Sequence, residues 1–190
     1  MLNQVTDFLI SVGIPHKFVP LAWTAGIMLA LLIVSTIVNT VNILILRAMP
    51  GQMGKLVCCW LTAPGVIIHE CSHAFFAMLT GAKVTKVVFF GPKGDVLGYV
   101  NYRTRGKLIA PAIQRMLASV APVIIGPLAV WGFATILIST SLIWLKAIMV
   151  YLIFAVVMHM ELSSQDVKEY LKGCAIVIVI VALVCIIAIP

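Results

Sequence analysis

The 190-residue sequence predicts an all-α integral membrane protein, a bundle of about five transmembrane helices with a small β-hairpin set into it. Three observations carry that expectation. The composition is 63% hydrophobic and only 10% charged, with a mean hydropathy of +1.17, far from the balance of a water-soluble domain. Apolar runs of about 20 residues, the length that crosses a bilayer core, recur with short polar breaks between them. One stretch, Lys83 to Tyr102, changes texture to β-branched and aromatic residues around a Gly/Pro turn. No internal repeat or flexible linker divides the chain, so residues 1–190 read as one membrane-embedded domain.

Residues 1–20 are mixed, with Asp7, His16, Lys17 and two prolines, and read as an interfacial segment. The N-terminus has no charged region followed by a small-residue cleavage site, so the first span is expected to direct insertion itself. That span runs from Leu21 to Leu46 and is closed by Arg47. Pro50, Gly51 and Gly54 make a turn before a second apolar stretch, Leu56 to Thr80, interrupted at Ala63-Pro64-Gly65. Proline is tolerated in a first helical turn and glycine favours a helix end, so a helix is expected from near Pro64 to Gly81.

Val84, Val87, Val88, Phe89 and Phe90, then Gly91-Pro92-Lys93-Gly94-Asp95, then Leu97, Tyr99, Val100 and Tyr102 spell a hairpin. Open sheet edges are not tolerated against lipid, so it must lie at the interface or inside a protein cavity. Pro111 to Ser141 reads as a short helix, a break, and a third span from about Pro122 to Thr140. A fourth span is expected from Lys146 to Leu162 and a fifth from Gly173 to Pro190, joined by a polar loop, Ser163 to Lys172.

The net charge of +7 falls between the apolar segments, which marks membrane topology and excludes a nucleic-acid surface. Residues 83–107 carry Lys83, Lys86, Lys93, Arg103, Arg105 and Lys107 against Asp95 alone, and are therefore expected to be a cytoplasmic loop. Alternation then puts the N-terminus on the cytoplasmic side of the cell membrane, Arg47 to Lys55 outside and Ser163 to Lys172 inside. The five cysteines, Cys58, Cys59, Cys71, Cys174 and Cys185, are odd in number and sit mostly within spans, so they read as apolar fillers. Asn39, Asn42 and Arg115 read as interhelical hydrogen-bonding groups.

Within the second apolar stretch stands His69-Glu70-Cys71-Ser72-His73. Histidines four residues apart share one helix face, so both imidazoles can reach one Zn2+ ion. Glu70 lies beside the first and is placed to take a proton from a metal-bound water, the role of a general base. Ionisable groups at membrane depth are expensive, and three within five residues point to a site rather than packing. A catalytic zinc takes three protein ligands, so a third is required. Asp7 belongs to the N-terminal segment, Asp95 to the hairpin turn and Glu169 to a lysine-rich stretch. Asp166, Glu161 and His159 remain, all near the inner end of the fourth span. Asp166 is preferred because its short side chain sits where the chain re-enters the membrane. The pattern Ser163-x-x-Asp166 also reads as a helix cap. Glu161 and His159 are the alternatives, as ligand or as a partner that orients one.

The His-Glu-Cys-Ser-His-Ala run followed by Gly81-Ala82, the basic β-containing segment, and Ser119-Val120-Ala121-Pro122 leading to Gly126-Pro127 together resemble the site-2 protease family. The resemblance covers roughly residues 64–172. It implies zinc ligands at His69 and His73, a base at Glu70, an aspartate ligand from a later span, and transmembrane proteins as substrates. That family commonly carries its aspartate in an Asp-Gly pair. Here Ser163 to Asp166 stands in its place, and no PDZ-like module is present, so the chain resembles a minimal core. The expected activity is that of a zinc-dependent intramembrane endopeptidase, with an unwound substrate strand captured at the hairpin edge near Lys83 to Phe90. Two other readings use the same residues: a non-proteolytic zinc-binding membrane protein, and a small metal or proton transporter. A transporter would show interrupted helices paired between two related halves, and no such symmetry is seen.

Overall fold

A computed structural model describes residues 2–48, 51, 58–91 and 97–188. In chain order the elements are α1 (Leu2–Ser11), a turn of 3-10 helix (His16–Phe18), α2 (Val19–Ala48), α3 (Ala63–Leu79), β1 (Lys83–Val88), β2 (Tyr99–Arg103), α4 (Ile109–Ser139), α5 (Ile143–Val157) and α6 (Ser164–Ile187). Residues 58–61 are also helical and lead into α3. The turn expected around Pro50 and Gly54 and the hairpin tip from Pro92 to Asp95 lie outside the described residues.

Among the described residues, three helices are long and apolar enough to cross a membrane: His16–Ala48, Ile109–Ser139 and Ser164–Ile187. The exposed side chains of α2 include Leu29, Ile33, Ile37 and Leu44, an apolar surface suited to lipid. α3 and α5 have 17 and 15 residues. They rise about 25 and 22 Å at 1.5 Å per residue, short of a hydrocarbon core of about 30 Å.

α4 is the central helix and packs against α3, α5 and α6, while α2 leans mainly on α6. Between α3 and α5 the backbones touch: a Cβ on Gly65 would run into the Ala155 carbonyl, so only glycine fits there. A core of Met28, Val120, Val123, Leu162, Tyr170 and Cys174 ties α2, α4 and α6 together. A second cluster, Ala77, Ala82 and Ala118, seats the sheet through Val84 and Tyr102.

The strands pair antiparallel, with Val84 opposite Tyr102 and Val88 opposite Tyr99, and an irregularity between Val84 and Lys86. α3 ends as its glycine requires. Gly81 adopts φ +85°, its N–H donates to Met78 and that of Ala82 donates to Ala77, closing the last turn.

Three boundaries differ from expectation: α5 ends at Val157 where the span was expected to reach Leu162, leaving residues 158–163 irregular, and the other two concern α4 and α6. α4 runs unbroken through Pro122 and Pro127, where a break was expected. Residues 118–123 are all buried, so packing against neighbouring helices holds the helix across the hydrogen bonds its prolines cannot make. α6 begins at Ser164, so most of the polar segment expected to be a loop is helical. Ser163 caps that start, and the capping outweighs the polar composition.

Candidate metal centre

One turn apart on α3, His69 and His73 bring their Nε2 atoms to 3.0 Å. Each ring is held from behind by a backbone carbonyl. His69 Nδ1 bonds the His159 carbonyl at 2.6 Å and His73 Nδ1 bonds that of Ala118 at 2.7 Å. A carbonyl only accepts, so each Nδ1 carries a proton, and in the neutral imidazole each Nε2 then presents a lone pair. Two lone pairs so close repel one another unless a cation lies between them. Zinc–nitrogen bonds of about 2.0–2.1 Å at a tetrahedral angle separate two nitrogens by about 3.3 Å, close to this spacing.

Asp166 completes the group. Its Oδ1 lies 3.5 Å from His73 Nε2 and its Oδ2 4.0 Å from His69 Nε2. One ligand atom from each of the three falls within 4.8 Å of the others, close enough to hold one metal ion. Helix cap and cluster member are the same residue. The Ser163 N–H and hydroxyl both donate to Asp166 Oδ2, at 3.0 and 2.5 Å, while the Asp166 N–H donates back to Ser163 Oγ. The cap thus fixes where the carboxylate points. Two nitrogens and a hard oxygen form a donor set suited to zinc.

The other two candidates stand outside this group. Glu161 accepts a bond from Asn42 Nδ2 at 2.5 Å. His159 pairs its ring Nε2 with Thr62 Oγ1 at 2.9 Å and meets the centre only through its carbonyl.

Glu70 is buried and borders the same cavity, of about 620 Å³, as the three cluster residues. Its walls are α3, residues 97–102 along β2, and residues 163–166 at the start of α6. That volume falls in the range of about 300–1,000 Å³ typical of ligand sites. Gly98 closes over Glu70: a Cβ there would lie 2.8 Å from Glu70 Cγ and 2.8 Å from the Val88 carbonyl oxygen. The strand at the cavity is therefore β2. Tyr102 of β2 is half-buried at the cavity wall. Burial pushes its hydroxyl up from the ordinary tyrosine range, and a bond with Ser119 opposes that.

Several contributors are invisible in the motif. Pro122 does not break the helix, and its consequence is local: lacking an N–H, it leaves the Ala118 carbonyl without an i+4 donor and available to His73. A proline at the right distance along an apolar helix was the available signal. Gly98 and Tyr102 enter only through the folding of the hairpin onto α3. The chain matches no family model, no curated protein and no solved structure.

Proposed function

We propose that this chain is a zinc-dependent endopeptidase that cuts transmembrane or membrane-associated proteins within the bilayer. One observation carries the reading. Two imidazoles, their tautomers fixed by carbonyls behind them, aim lone pairs at a point beside a capped carboxylate, with a second, buried carboxylate on the same cavity. Bound by His69, His73 and Asp166, zinc would polarise the scissile carbonyl and acidify a water.

The remaining work falls to the chain. Glu70 accepts the proton of the attacking water and returns it to the leaving amine. Its burial and the close cover of Gly98 limit its contact with bulk water. A substrate helix must first unwind, because its own hydrogen bonds seal its backbone. The unwound segment then lies along β2, whose residues 97–102 border the cavity, and gains main-chain hydrogen bonds by strand addition. This moves the capturing strand from the one expected in the sequence while keeping the mode of capture.

In the bilayer, α2, α4 and α6 are the full spans. α3 with the helical residues 58–61, together with α5, completes a five-span bundle. The basic residues of the hairpin segment put it and the start of α6 on the cytoplasmic side of the cell membrane, with the N-terminus on that side too. The test is cleavage of a transmembrane peptide by the purified chain in detergent. Activity lost to a chelator and restored by zinc supports the proposal. Cleavage indifferent to chelation rejects it.

A further inference from the structure

α2 touches the rest of the molecule along a narrow line. Its buried residues beyond Val19 are Met28, Ser35 and Asn42, successive members two helical turns apart on one face. Each makes a hydrogen bond to α6 or to the stretch that leads into it. The Tyr170 hydroxyl donates to the Met28 carbonyl at 3.2 Å. The Leu162 N–H donates to Ser35 Oγ at 2.7 Å. Asn42 Nδ2 donates to the Met158 carbonyl at 2.8 Å and to Glu161 Oε2 at 2.5 Å.

Ser35 and Asn42 thus grip the irregular stretch between α5 and α6, and that stretch in turn holds the cluster. Along it the roles alternate. Met158, Glu161 and Leu162 are held by α2, while the His159 carbonyl orients His69 and Ser163 orients Asp166. Ser35 and Asn42 are 4% and 3% exposed, polar side chains kept inside an otherwise apolar contact. Polar side chains of this kind commonly bridge membrane helices, and here both land on the stretch that carries the cluster.

We propose that Ser35 and Asn42 are positioning residues for the metal centre, acting through residues 158–163 on His69 and Asp166. Outer partners of this kind typically change metal affinity about 10- to 100-fold when removed. The proposal deepens the metal-site reading and rests on it for its metal-binding arm.

The experiment uses the full chain in detergent and has two readouts. The first is amide hydrogen exchange over residues 158–163 in metal-free protein. The second is affinity for cobalt(II), with its ligand-field spectrum. Asn42→Asp removes the donors and sets a carboxylate against Glu161. Glu161→Gln preserves the pair, because the Asn42 amide still has a carbonyl oxygen to bond. The double variant, Asn42→Asp with Glu161→Gln, rebuilds the pair with Glu161 in reverse, the introduced amide donating to the introduced carboxylate, while the Met158 carbonyl stays without its donor. Ser35→Ala is the milder second variant if Asn42→Asp does not fold. The expected pattern is faster exchange and about tenfold weaker cobalt binding in Asn42→Asp and Ser35→Ala, near-wild-type behaviour in Glu161→Gln, and partial recovery of affinity and spectrum in the double variant. Exchange and cobalt affinity unchanged in both single variants of α2 would overturn the proposal, as would a double variant no better than Asn42→Asp alone. Wild-type protein that binds no cobalt would instead reject the metal-site reading, leaving the exchange comparison to decide whether α2 grips this stretch.

Discussion

His73 is oriented by Ala118: its Nδ1 lies 2.7 Å from that carbonyl oxygen, on a helix whose Pro122 has no N–H to offer the same acceptor. In an uninterrupted helix the Ala118 carbonyl would receive the i+4 amide. The proline removes that competitor, and α4 continues because its neighbours pack it from several sides. Pro122→Ala restores the amide donor and makes it share the carbonyl with His73. The expected result is unchanged or higher helix stability with zinc affinity about tenfold weaker, read by competition with a chromophoric chelator. Unchanged affinity would mean that the proline serves the helix alone.

Asp166 serves as both cap and cluster member, and the two duties separate by mutation. Asp166→Ala removes both and should sharply lower zinc content. Ser163→Ala keeps the carboxylate but loosens its direction, and should cost about 1 kcal/mol of stability with a smaller loss of metal than Asp166→Ala. Glu161→Ala should lower zinc content less than Asp166→Ala, and His159→Ala should leave it nearly intact, because the His159 contact to His69 is a backbone carbonyl. Metal analysis and melting temperature across the four variants check this. Full zinc occupancy in Asp166→Ala would remove Asp166 from the ligand set.

Gly98 sets the distance between β2 and Glu70. Gly98→Ala places a methyl group within 2.8 Å of both Glu70 Cγ and the Val88 carbonyl oxygen, so the strand or the carboxylate must move. Displacements of this scale at a catalytic group cost about 10- to 100-fold in rate. Peptide cleavage should fall by that amount while zinc content holds, since no ligand is touched. Wild-type turnover in Gly98→Ala would put the working strand elsewhere.

What was legible in the sequence was local. His69, Glu70 and His73 are neighbours on one helix, so spacing alone aligned them, and the Ser163–Asp166 pair announced its cap over three residues. The strands announced themselves through β-branched and aromatic residues around a Gly/Pro turn. What was not legible depended on contacts distant in the chain. Asn42 meets Glu161 across 119 positions, and nothing in the composition of α2 distinguishes that asparagine from Asn39. The sheet lays β2 along the cavity through contacts distant in the chain, with Val84 and Tyr102 seated on Ala77, Ala82 and Ala118. Pro122 misled the expectation for α4 because proline's local cost was weighed without the packing that offsets it.

The most direct test of the central claim, that metal binding and proton transfer are divided between adjacent residues of α3, is Glu70→Gln. The substitution removes the base and leaves His69, His73 and Asp166 untouched. Zinc stoichiometry and cleavage of a transmembrane peptide are measured on the same purified sample beside wild type. Zinc bound as in wild type, with cleavage abolished, is the predicted result. Cleavage at a near-wild-type rate would contradict it, because the buried carboxylate beside the metal cluster would then have no part in the chemistry.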